Sequence, residues 1–117
     1  MKCLCLIQVL ILNNMTDFCF KIFNSTWTVT YVDQITEDLE EGEFRFGDTC
    51  YTNNKIRIAL KDHKGERLPE TTIKLTTLHE MVHAILFTGQ YTSVSNDEPI
   101  VEWIANCLYS IKEQGKL

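Results

Sequence analysis

Three residues able to handle a metal or a proton fall within five positions: His79, Glu80 and His83, in the run His79-Glu80-Met81-Val82-His83. On an α-helix, side chains at i and i+4 stack on one face with Cβ atoms roughly 5–6 Å apart. Two imidazoles so placed can grip one Zn²⁺, each through a single ring nitrogen. The carboxylate after the first His points beside that metal, where it can take a proton from a zinc-bound water. The chemistry this spacing suggests is metal-assisted hydrolysis, with Glu80 as general base.

Such a site needs a helix to hold the pair and a third ligand from another element. Pro69 suits a first helical position, and Glu70 beside it complements the N-terminal dipole. Ile73, Leu75, Leu78, Val82, Ala84, Ile85 and Leu86 keep a broad apolar surface until Thr88-Gly89, where the glycine reads as a helix stop. A helix apolar on nearly all sides is a buried one. Burying three ionisable groups within it costs several kcal/mol unless they are partnered, on the order of what a shared metal offsets.

Ser95-Asn96-Asp97-Glu98 reads as a capping box, with Pro99 in the first turn of a second helix running to about Lys112. Glu98 and Glu102 share one face of it. Glu102, one turn inside the helix among apolar neighbours, is the expected third ligand, on the His₂Glu pattern of catalytic zinc. Glu98, at the helix start, has a capping or supporting role available without a metal. Asn106 is a candidate to accept a hydrogen bond from a ligating imidazole. Stabilising the oxyanion of a hydrolysis needs a further donor, for which Tyr91 and Tyr51 are the candidates.

The spacing excludes the metzincin pattern, since Leu86 and Gly89 replace its glycine and third His. HExxH followed at a distance by Glu on a later helix looks like the gluzincin arrangement, in which Asp is usual where this chain has Asn106. The segments Leu78–Leu86 (LHEMVHAIL) and Glu102–Leu108 (EWIANCL) resemble the ImmA/IrrE family, small zinc metallopeptidases of phage, prophage and mobile elements. The second segment is similar to that family's E-x-x-A-N/D-x-F-A helix, with Leu108 where Phe is common. The resemblance runs from about residue 21 to the C-terminus. It implies a cytoplasmic zinc metallopeptidase acting on a protein or peptide substrate, with a helix-turn-helix repressor as one such substrate. Longer members continue with an LLMP-type segment that is not found here, so the chain reads as a minimal version. The alternative is a non-catalytic zinc-binding regulatory or interaction protein of phage or mobile-element origin.

The remaining composition fits one ordinary globular domain: 117 residues, 44% apolar, 23% charged, net charge −5. Lys55, Arg57, Lys61, Lys64 and Arg67 are interleaved with acids, which argues against direct nucleic-acid binding. The acidic run Glu37 to Glu43 reads as a solvated loop. Five scattered cysteines without a CxxC pair read as free thiols in a reducing compartment.

Residues 1–14 stand apart from the domain over residues 15–117. Their apolar run is too short to span a bilayer as a helix. Three readings stay open: a first core element, an uncleaved membrane-directed segment, or non-native sequence upstream of a start at Met15. A membrane location for the domain is not expected. Residues 18–32 are rich in aromatic and β-branched types, with Trp27, Val29 and Tyr31 alternating as a half-buried strand should. Phe44-Arg45-Phe46 alternates again, and Thr49–Thr52 meets Lys55–Leu60 across Asn53-Asn54 as a hairpin. The expected fold is α+β, a small antiparallel sheet followed by two helices carrying the HExxH…E site. Lys55–Leu60 is the candidate strand for binding an extended substrate.

Overall fold

The computed structural model describes Cys3, Leu4, Gln8, residues 15–36 and residues 39–115. Most of the apolar N-terminal run, together with Glu37 and Asp38 of the acidic loop, lies outside the described residues. Glu40, Glu41 and Glu43 are exposed, as a solvated loop requires.

Phe18–Ile22 (β2) and Ser25–Val32 (β3) form an antiparallel hairpin, so the long β-rich run is two strands and not one. The turn between them holds Phe23 at φ 52°, with 92% of its surface exposed. Cys3–Leu4 (β1) lies parallel to β2. Gly47–Cys50 (β4) pairs antiparallel with Lys55–Ala59 (β5), and β5 runs parallel to β3. The order is β1-β2-β3-β5-β4. The sheet is therefore mixed, which corrects the antiparallel expectation: β4 follows β3 in the chain but lies beyond β5, which sits between them. The β4–β5 connection is Tyr51 to Asn54, four residues instead of two, with Asn54 at φ 54°. Phe44–Phe46 forms no strand, although the Phe46 carbonyl accepts from the Ala59 amide.

These registers place substrate-strand roles differently from the expectation. β5 is paired on both sides and has no free edge to offer. β4, paired on one side only among the described residues, is an edge strand, as is β1 at the far side.

The alternation read in β3 holds: Trp27 and Val29 are buried, beside Phe18, Phe20, Ile56 and Ile58 on one face. Helix α1 (Glu70–Thr88) lays Ile73, Met81 and Ala84 against that face. Its opposite side, through Leu78 and Val82, packs on Val101 and Ala105 of helix α3 (Glu98–Glu113). Contact on two sides explains why α1 lacks a polar stripe. A short helix α2 (Thr92–Ser95) joins the two. Helix α1 does not end on a left-handed glycine: Gly89 has φ −81°, and Gln90 takes the left-handed conformation at 65°.

The capping box is replaced by a single cap. Asp97 is the N-cap of α3 and accepts from the Ile100 amide, while Ser95 is buried elsewhere. Cys3 and Cys19 face each other across β1 and β2 with Cα atoms 4.3 Å apart and are joined by a disulfide, which corrects the all-thiol reading. Strand pairing brings them together over a separation of 16 residues that spacing alone does not reveal. Cys50 and Cys107 are free, and Cys5 lies outside the described residues. Among the described residues no helix is long and apolar enough to cross a membrane.

Candidate metal centre

Helix α1 presents His79 and His83 toward the start of α3, one turn apart as the spacing requires. Their Nε2 atoms are 3.2 Å from each other. The Glu98 carboxylate meets both, with Oε2 2.9 Å from His79 Nε2 and Oε1 3.1 Å from His83 Nε2. Two ligand atoms bound tetrahedrally to one zinc, each about 2.0–2.1 Å away, are roughly 3.3 Å apart. His79, His83 and Glu98 could therefore hold a metal ion.

The outer ring nitrogens have partners of their own. His79 Nδ1 lies 2.7 Å from Glu102 Oε2. A carboxylate only accepts, so Nδ1 donates to Glu102 and Nε2 is the atom His79 would offer to a metal. His83 Nδ1 is 3.0 Å from the hydroxyl of Ser95, which is 3% exposed. With Nδ1 donating there too, both Nε2 atoms would offer lone pairs beside the Glu98 carboxylate, the arrangement in which a metal ion is held. Burial pushes the His83 imidazole below its ordinary pKa, against the pull of Glu98, and so favours the neutral form that ligates.

The two acids thus sit differently from the expectation. Glu98, expected in support, is the one that reaches both Nε2 atoms. Glu102, expected as the third ligand, braces His79 from behind. Asn106 donates to the Glu102 carbonyl at 2.8 Å and to its Oε1 at 3.2 Å, and so acts through Glu102 instead of on an imidazole. Carboxylate-to-histidine bonds of this kind fix ring orientation and strengthen the ligand.

Glu80 is 7% exposed on the same helix. Burial raises its carboxyl to about 7; His79 and a hydrogen bond from Thr49 oppose the shift, while Asp48 and Glu98 add to it. Thr49 Oγ1, on β4, donates to Glu80 Oε2 at 3.2 Å. Glu80, His79 and Glu102 line a cleft of about 380 Å³ between α1 and the start of β4. Gly47 sets the closeness of that approach, since a Cβ there would stand 2.8 Å from Thr76 Cγ2 and 3.2 Å from Glu80 Cγ.

The two tyrosines do not join the cleft. Tyr51 packs on Phe87, with ring centroids 4.4 Å apart, and its hydroxyl is 3.4 Å from Ser95 Oγ. It belongs to the support of His83. Tyr91 is 62% exposed beyond the end of α1. Sequence reasoning missed Ser95 and Thr49 as site residues. Ser95 gave a competing capping signal, and Thr49 gave none. Compared with protein-family models, curated proteins and solved structures, the chain finds no match.

Two outcomes follow from this geometry. In a chelator-competition titration, Glu98→Ala weakens zinc binding more than Glu102→Ala, whereas Glu102→Ala and Ser95→Ala each cost roughly 10–100-fold. A larger loss on Glu102→Ala would make Glu102 the ligand. The second outcome concerns the metal-free protein. The folded state holds the Glu80 proton more tightly than the unfolded chain, whose carboxyl titrates near the ordinary 4.5. The resulting stability is present below that value and is lost as pH rises toward 7. Glu80→Gln removes this decline, so denaturant unfolding should show the variant gaining on wild type across that window. Parallel profiles would contradict a buried Glu80 carboxyl.

Proposed function

We propose that the protein is a zinc-dependent peptide-bond hydrolase. The observation that carries this reading is the triangle of His79 Nε2, His83 Nε2 and Glu98 oxygens, with sides of 2.9–3.2 Å, beside buried Glu80, which lines an open cleft together with His79. Two imidazoles and one carboxylate form the donor set typical of catalytic zinc. Zinc bound there supplies Lewis acidity toward the scissile carbonyl and lowers the pKa of the attacking water.

The chain's own residues do the rest. Glu80 takes the proton of the attacking water and returns it to the leaving amine. Its raised pKa suits both halves of that transfer near neutral pH. Thr49 orients the carboxylate, and Glu102 and Ser95 hold the imidazoles. β4, with one unpaired edge at the cleft, can add an extended peptide as a further strand. The resemblance to ImmA/IrrE peptidases supports a cytoplasmic setting and a helix-turn-helix repressor as a substrate to test.

A second reading is favoured by one observation: neither tyrosine donor is aimed at the cleft. A metal-binding regulatory or interaction protein without turnover needs no such donor. Zinc-loaded wild type and Glu80→Gln, incubated with a denatured protein and with a helix-turn-helix repressor, separate the two. The hydrolase loses about 10²–10⁴-fold of its rate in Glu80→Gln and keeps its zinc. No cleavage by zinc-loaded wild type, or equal cleavage by both, would leave only the regulatory reading.

A further inference from the structure

The short strand β4 and the turn after it meet the site at two points. Thr49 reaches Glu80 from within the strand. Tyr51, the first residue past its end, stands beside Ser95. Ser95 is 3% exposed, so its hydroxyl depends on partners within the protein. A hydroxyl has one hydrogen to give and two lone pairs to accept with. With His83 Nδ1 donating to Ser95 Oγ at 3.0 Å, the Ser95 hydrogen is available to Tyr51 Oη at 3.4 Å. The Tyr51 ring is itself fixed. It packs on Phe87 with ring centroids 4.4 Å apart and stands nearly perpendicular to buried Trp27 at 6.4 Å. A line of contacts therefore runs from the sheet core through Tyr51 and Ser95 to His83.

We propose that Tyr51 is a positioning residue that ties β4 to His83 through Ser95, so that zinc binding and the order of β4 reinforce each other. This rests on the hydrolase reading above and adds how its metal centre is coupled to the strand. A cation on Nε2 draws electron density from the imidazole and makes the Nδ1 hydrogen a stronger donor to Ser95. Ser95, polarised in turn, donates more strongly to Tyr51, since hydrogen bonds in a chain strengthen one another. The effect arrives at the residue that follows β4, the same strand whose Thr49 orients Glu80. Coupling between two binding events is reciprocal. Whatever orders β4, an added peptide strand included, therefore tightens the hold on zinc by the same factor.

Amide hydrogen exchange over Gly47–Cys50, with and without added zinc, tests this together with zinc affinity by chelator competition. In wild type, zinc should slow exchange across the strand by about fivefold or more. Tyr51→Phe keeps the ring against Phe87 and Trp27 and removes only the hydroxyl. It should lose the slowing and bind zinc more weakly by about the same factor. Ser95→Ala should lose the slowing as well, although Tyr51 is intact, which a role for Tyr51 in packing alone does not predict. Wild type that binds zinc with no change at β4 overturns the inference and leaves the hydrolase reading in place, and so does Tyr51→Phe behaving as wild type. Wild type that binds no zinc overturns both. If the coupling runs through Tyr51 but zinc-loaded wild type cleaves no peptide, the hydrolase reading fails and the coupling stands.

Discussion

The proposed function depends on one arrangement of three side chains. Two imidazole Nε2 atoms and one carboxylate are held about 3 Å apart, at the separations ligand atoms take around one metal ion. The arrangement is maintained because the far side of each ring is fixed, His79 by Glu102 and His83 by Ser95, so neither imidazole can rotate away without losing a hydrogen bond. The three side chains could hold a metal ion at their centre, on a helix that is packed on two sides.

That packing is what makes the arrangement possible. Sheet residues Trp27, Val29, Ile56 and Ile58 fix one side of α1, and Val101 and Ala105 of α3 fix the other. The ionisable residues lie on what remains of the helix circumference, at the mouth between α1, α3 and the edge strand. Gly47 lets β4 come close enough for Thr49 to reach Glu80, so the Glu80 carboxyl is oriented by the strand that also borders the cleft. Burial of Glu80 works against its ionisation and in favour of a carboxyl that exchanges protons near neutrality.

Local pattern made part of this readable in advance. His79, Glu80 and His83 are related by helical geometry alone, and the alternation of Trp27 and Val29 by strand geometry alone. What escaped the sequence was set by contacts distant along the chain. Glu98 and Glu102 are one turn apart on the same face, and the crossing of α3 over α1 decides which meets Nε2 and which meets Nδ1. β4 follows β3 in the chain but lies beyond β5, and no residue type marks that placement. Ser95 illustrates a different difficulty. Its position before Asp97 and Glu98 matched a capping box so well that its bond to His83 had no separate signal.

The most direct test of the account is X-ray absorption at the zinc edge on the purified, zinc-reconstituted protein, with zinc content measured on the same sample. The account predicts one zinc per chain in a shell of nitrogen and oxygen ligands only, two of them imidazoles, at about 2.0–2.1 Å. In His83→Ala the stoichiometric zinc should be lost. Substoichiometric zinc in wild type, a sulfur ligand in the shell, or full zinc retention by His83→Ala would contradict a metal centre built on this helix.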